Sequence, residues 1–277
     1  MTKTLAVLAI LCATSINAAL GGSLDPTSSE TCTAATAFTP AGMPAAADGR
    51  QLTVICHSAY LTALNPHREV PDWVAWTLTP AHALGCEPRS DAFTADPQLP
   101  KALAVVPDDY LNSGFDKGHF APDKDFAWDH TAERESFYMT NMSPQAKGLN
   151  EQGWEQVEQE TRVWAWSGKY GALYLMDGPL YGHHPQRIGV HNVAVPAAYW
   201  KLIVSPSTGH ALAYVMPNLP VTKKREGMHL VAIADVERLS GLSIALPPGI
   251  DRSKVELEWS ADLAGYAKAK KAKCGKE

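Results

Sequence analysis

The sequence predicts a mixed α+β fold with a sheet at its core, built as one domain. Three observations carry that expectation. Short β-branched and aromatic runs recur along the chain, one segment has clear helical spacing, and no internal repeat appears. The 277 residues fit one large domain or two small ones and suffice to bury a sizeable core.

Taken in order, residues 1–19 (MTKTLAVLAILCATSINAA) read as a secretory signal peptide. Lys3 gives a positive start, 5–16 an apolar run, and Ala18 and Ala19 the small residues of a cleavage site. The run is too short to span a bilayer comfortably. Cys12 follows Leu11 rather than the small residue that lipidation wants. Residues 20–50, rich in Ala, Thr, Ser, Pro and Gly, read as an irregular N-terminal arm, and 51–277 as the domain. Strands are expected at 51–60 (QLTVICHSAY), 73–79 (WVAWTLT), 137–141 (FYMTN), 172–179, 198–204 and 211–217. A polar, Pro-rich connection fills 86–109. The best helix covers 150–166, with Asn150 as its N-cap and Trp154, Val157 and Thr161 at helical spacing; Gly168 ends it. A short helix is expected at 231–239, and the basic tail 268–273 reads as a solvated helix end.

Composition narrows the function. With 45% hydrophobic and 19% charged residues the chain is not a disordered type. The net charge is −5, or −6 once Lys3 is removed (23 basic residues against 29 acidic). That excludes a nucleic-acid binder working through a strongly basic surface, while a local site remains allowed. No stretch beyond the leader is long and apolar enough for a transmembrane helix, so the mature protein is expected to be soluble, secreted or periplasmic, with no membrane partner. Its four cysteines, Cys32, Cys56, Cys86 and Cys274, suggest two disulfides in an oxidising compartment, with three possible connectivities. No pair has the Cys-x-x-Cys spacing of a metal site.

Chemistry concentrates in residues 114–162. In Asp116-Lys117-Gly118-His119, the glycine permits a close backbone approach, and Phe115 and Phe120 can pack and hold the loop. A rigidly presented imidazole suits general-base work near neutral pH. Asn141 precedes the Ser143-Pro144 turn. Asn150 offers a hard, neutral amide oxygen suited to Mg²⁺. Glu158 lies eight residues on, about 80° around an α-helix, and Arg162 stacks four residues beyond it. The plainer reading is a capped helix with a surface Glu–Arg pair and a core Trp154. Asp123 and Asp125 are either structural turn residues or carboxylates near a metal's waters. His183-His184 lacks the i, i+4 geometry of a ligand pair, and Lys223-Lys224-Arg225 reads as a solvated loop.

Together these motifs resemble the DNA/RNA non-specific endonucleases of the ββα-metal, or His-Me finger, type. The family pattern of D-R-G-H, N-x-x-P-Q, a variant of L-N-x-G-x-W, Glu four residues after the Trp and Arg four after that runs through His119, Asn141, Asn150, Trp154, Glu158 and Arg162. The runs WVAWTLT, DGPLY (177–181) and VPAAYWK (195–201) resemble its strands, so the likeness covers most of 50–247. The resemblance implies a single α+β domain with a central antiparallel β-sheet flanked by helices, carrying the ββα-metal finger. It implies hydrolysis of DNA and RNA, without sugar or sequence preference, to 5′-phosphate products. His119 would be the general base and Asn150 the one protein ligand of Mg²⁺, with Mn²⁺ as substitute. Glu158 would bond the metal's waters, Arg162 and Arg89 would hold the phosphate, and Asn141 would orient the His119 loop or contact substrate. Lys117 would bind substrate where the family usually has Arg, exchanging a two-pronged grip for a point charge. Alignment with the family sets Cys32 with Cys56, which leaves Cys86 with Cys274. The alternative is a secreted nucleic-acid-binding protein on the same scaffold without catalysis. A zinc protease is disfavoured by the absence of H-E-x-x-H. No oligomer interface is legible.

Overall fold

A computed structural model describes residues 32, 35–224 and 226–275. The expected signal peptide lies outside these residues. The described residues build one α+β domain around a seven-stranded antiparallel sheet. From one edge to the other the strands are Leu230–Val231, His210–Pro217, Ala198–Ser205, Leu173–Leu180, Val70–Leu78, Tyr60–Asn65 and Thr53–Cys56.

The sheet is covered on both faces, which is why its central strands read as nearly continuous apolar runs. Successive side chains alternate between the faces. Val74, Trp76, Leu175, Tyr199 and Ile203 pack on one side with Trp154 and with Val157 and Trp164 of the helix Glu155–Trp166. Trp73, Ala75, Met176, Trp200 and Leu202 pack on the other with Phe38, Ile233 and Val236. The register sets Asp177 opposite Lys201 on one neighbour and opposite Val74 on the other, so two charged residues enter the first of these cores.

Several local expectations shift. The 51–60 run divides into two strands that turn at Cys56–Tyr60, where the His57 amide donates to the Tyr60 carbonyl at 3.0 Å. Residues 137–141 form no strand. Met139–Asn141 is a 3₁₀ turn, and the strand starts at Met142. The turn is fixed because the Asn141 side chain reaches back to the Ser136 carbonyl. Part of the stretch before residue 51 packs on the domain: Ala35–Phe38 is a helical turn that buries Phe38, and Ala45–Ala46 pairs with Leu242–Ser243. The late helix runs Ile233–Ser240 and stops at Gly241, whose φ of 67° favours glycine. The basic tail ends the helix Leu263–Cys274. The disulfides are Cys32–Cys56 and Cys86–Cys274, the pairing that the family alignment gives. Among the described residues no helix is long and apolar enough to cross a membrane.

Candidate active site

The candidate site stands on a small hairpin and the helix that follows it. The strand Asp116–His119 pairs antiparallel with Met142–Gln145, Asp116 opposite Gln145 and His119 opposite Met142. Alternation sends Lys117 and His119 to one face and Asp116 and Gly118 to the other. Gly118 has no room for a side chain, since a Cβ there would lie 2.6 Å from the Cβ of Gln145.

On the first face His119 sits in an aromatic corner. Its ring meets Phe137 edge-on at 4.9 Å and tilts against Phe93 at 5.8 Å. Its Nε2 is enclosed and has no hydrogen-bond partner. Burial pushes the imidazole down to about 4; Asp123 opposes that shift and Arg89 adds to it. The ring is therefore neutral at pH 7 and keeps a lone pair to accept a proton. Two cations flank the same aromatic pair. Lys117 Nζ lies 4.8 Å from the Phe93 ring centre, and the Arg89 guanidinium 4.8 Å from that of Phe137. Arg89 is aimed by bonds to Asp91 (2.6 Å) and Asp123 (2.7 Å).

Asn141 is fully buried and its side chain bonds to the backbone around the His119 loop. Its Nδ2 donates to the Ala121 and Ser136 carbonyls, both at 2.8 Å, and its Oδ1 accepts from the Ala121 amide at 3.0 Å. The backbone two residues past His119 is thereby pinned. Asn218, which sequence reasoning missed, clamps the second strand similarly. It accepts from the Ala146 amide at 2.7 Å and donates to the Pro144 and Pro196 carbonyls. A lone buried Asn has no sequence signature.

The helix begins differently from the expectation. Asn150 is not an N-cap: its amide donates to the Ala146 carbonyl, and Leu149–Trp154 is a π-turn that leads into the α-helix Glu155–Trp166. The Gly153 amide leaves the helical ladder and donates to the Val221 carbonyl at 2.9 Å. A Cβ on Gly153 would lie 2.6 Å from Val221 Cγ1, so only glycine admits this approach. A turn closed i→i+5 advances each residue by less than the α-helical ~100°, which shrinks the offset between Asn150 and Glu158 from about 80° towards zero. Such turns gather at functional sites. Asn150 Nδ2 donates to Asp116 Oδ2 at 3.0 Å, leaving the amide oxygen as the ligand-capable end. Asp116 and His119 share a strand, with their Cα atoms about 10 Å apart.

Below the helix lies a buried charge network. Arg162 Nη1 donates to Asp125 at 3.0 Å, and the Trp76 indole donates to the other Asp125 oxygen at 3.0 Å. Lys201 is paired with Asp177 and lies 4.8 Å from the Trp154 ring and 5.1 Å from that of Trp76. Burial pushes Glu158 up to about 8, against the pull of Lys201 and Arg162, while Asp125 and Asp177 raise it further. Arg162, expected at the phosphate, is instead buried and tied to Asp125; it acts on Glu158 from within. Asp125 is thus a structural partner, and Asp123 lies at the His119 face.

Three groups result: Arg89, Lys117 and His119 on the aromatic pair, Asn150 with Asp116, and Glu158 with Arg162. The strand Asp116–His119, the turn Asp123–Asp125 and the helix join them. The oriented Asn150 amide oxygen and the Glu158 carboxyl are both hard oxygen donors, the type that suits a hard divalent cation.

Comparisons with known proteins identify the family of the chain. The family model described as DNA/RNA non-specific endonuclease matches residues 41–249. Mitochondrial endonuclease G of Bos taurus is 31% identical over 200 residues, 67% of this chain and 66% of that protein. Nuclease C1 of Cunninghamella echinulata var. echinulata is 32% identical over 203 residues, 67% of this chain and 79% of that one. The chain thus spans about two thirds of the length of its endonuclease G relative. A solved chain from the EndoG/EndoGI complex superimposes with a TM-score of 0.70 at 28% identity, covering 81% of this chain and 94% of that one. A match across the sheet, the hairpin and the helix places this chain in the DNA/RNA non-specific endonuclease family.

Proposed function

We propose that this chain is a Mg²⁺-dependent endonuclease, with Mn²⁺ as substitute, that hydrolyses phosphodiester bonds of DNA and RNA to 5′-phosphate products and acts in the periplasm or outside the cell. The observation that carries the reading is the His119 ring, neutral at pH 7, with an enclosed and unpartnered Nε2, packed on two aromatic rings that Lys117 and Arg89 also contact.

His119 takes the proton of the attacking water. Lys117 and Arg89 bind the phosphate and offset its charge. Asn141 keeps the His119 loop in register, and Phe137 and Phe93 hold the ring. Asn150, oriented by Asp116, would hold the metal ion through its amide oxygen, and Glu158 would accept hydrogen bonds from the ion's waters. The bound ion supplies Lewis-acid stabilisation of the charge that develops on the phosphate. Arg162 holds a positive charge beside Glu158 and favours its ionised form. Contacts to phosphate carry no sequence information, so cleavage is indifferent to base and sugar.

The test is degradation of plasmid DNA and RNA by the mature protein with MgCl₂, stopped by EDTA. His119→Ala lowers turnover by about 10²–10⁴-fold with an unchanged circular dichroism spectrum. A variant that cleaves like wild type refutes the base assignment. Retention of DNA by the wild type with no Mg²⁺-dependent cleavage supports the non-catalytic binding protein instead. Export of the chain fused to a reporter tests the location.

A further inference from the structure

Glu160 lies two residues after Glu158, about 200° around the helix, and so leaves on the side away from the candidate active site. There it meets Glu226, from the 3₁₀ turn Glu226–His229, and Glu258, from the stretch before the last helix. One carboxylate oxygen of each lies within 4.8 Å of the other two. Glu160 and Glu226 are 8% and 9% exposed, and each has an enclosed Oε2 with no hydrogen-bond partner. Two oxygens of the cluster are committed: Gln156 Nε2 donates to Glu160 Oε1 and the Tyr214 hydroxyl to Glu258 Oε1, both at 2.7 Å. Gly227 keeps the approach open, since a Cβ there would lie 3.1 Å from Glu258 Oε2. Among the described residues, none of the three carboxylates is in an ion pair. Burial, with Glu258 and Glu226 adding to it, pushes Glu160 up to about 7. Three carboxylates this close, largely out of water, repel one another when ionised.

We propose that Glu160, Glu226 and Glu258 form a second, structural cation site that binds Ca²⁺. The donors are hard carboxylate oxygens in an irregular set, and half-buried Glu258 leaves a side open for the waters that complete Ca²⁺ coordination. The ion clasps three distant stretches: the helix carrying Glu158, the turn that follows Val221, and the C-terminal segment. Val221 receives the Gly153 amide of the π-turn, so this clasp supports the start of the helix. The inference does not rest on the nuclease reading.

The test uses the mature chain carrying Asn150→Ala, which removes the candidate catalytic ligand. Calorimetry with CaCl₂ is expected to show one ion bound, and Tm to rise by about 5 °C or more at a hundredfold excess over Kd. Glu226→Gln and Glu258→Gln each abolish the shift, while their metal-free Tm equals or exceeds that of the parent because one repelling charge is gone. No binding at millimolar Ca²⁺, or an unchanged shift in both variants, overturns the proposal. So does a fall in the variants' metal-free Tm, which would mark carboxyl groups sharing protons rather than awaiting a cation.

Discussion

Replacing Asn141 by Asp changes one atom and tests the clamp behind His119. In the wild type, Asn141 Nδ2 donates to two backbone carbonyls at 2.8 Å in a fully buried setting. Asn141→Asp keeps the acceptor for the Ala121 amide but turns an oxygen towards both carbonyls. At pH 7 two donors are lost and two buried acceptors are left facing a carboxylate. At about 1–3 kcal/mol for each unsatisfied group, the loss is about 3–5 kcal/mol. For a domain of this size that lowers Tm by roughly 10 °C. The facing carbonyls raise the new carboxyl above its unfolded pKa of about 3.9. The folded state then holds the proton more tightly, so the deficit is full above the folded pKa and shrinks as pH falls towards 4. One donor returns on protonation, and the Tm gap to wild type should narrow by about half. Thermal melts of both proteins at pH 7 and pH 4.5 read this directly. A gap under about 2 °C at pH 7, or one that does not narrow in acid, refutes the clamp. Because Ala121 is two residues from His119, kcat at pH 7 should fall at least about tenfold at temperatures where the variant is folded.

Three further outcomes follow from the same structure. With the metal saturating, so that Glu158 is held ionised, the acid limb of kcat/KM for plasmid cleavage should have its midpoint near 4, where burial holds His119; a midpoint near the ordinary histidine value would show that another group is the base. Asp125→Ala strands the buried Arg162 charge and should lower stability by about 3–5 kcal/mol in urea unfolding; an unchanged midpoint would show that Arg162 has other support. Cys86→Ser with Cys274→Ser opens a loop of 188 residues and should lower stability by about 4–5 kcal/mol; melting of the double variant together with wild type would show that the bridge adds nothing.

The sheet was legible because its central strands are buried on both faces, which leaves nearly continuous apolar runs at 173–180 and 198–205, each broken by one charged residue, Asp177 and Lys201. His119 and Asn150 stood out through residue type and spacing. What holds them did not. Asp125, Arg162, Asp177 and Lys201 come from four separate segments, and only the sheet register and the helix packing bring them together. Asn141 reads as a strand end in FYMTN, yet its own side-chain bonds make a turn there and compete with a ladder. Arg162 looks like an exposed partner of Glu158 at i+4, and only the packed sheet beneath it makes it a buried charge. Spacing at 100° per residue also misplaced Asn150, because a helix whose amide bonds outward cannot be told from a regular one by periodicity.

The Gly153 bond to Val221 has a mechanical corollary. The helix carries one residue more than a regular spiral would hold there, and that surplus is what aligns an amide near its start with a carboxylate two turns later. Excising a single residue between positions 150 and 154 would let the spiral close normally, and the segment would become a better helix. The same deletion would swing the amide away from Asp116, so the molecule keeps its imperfect coil because a tidy one would point the wrong way.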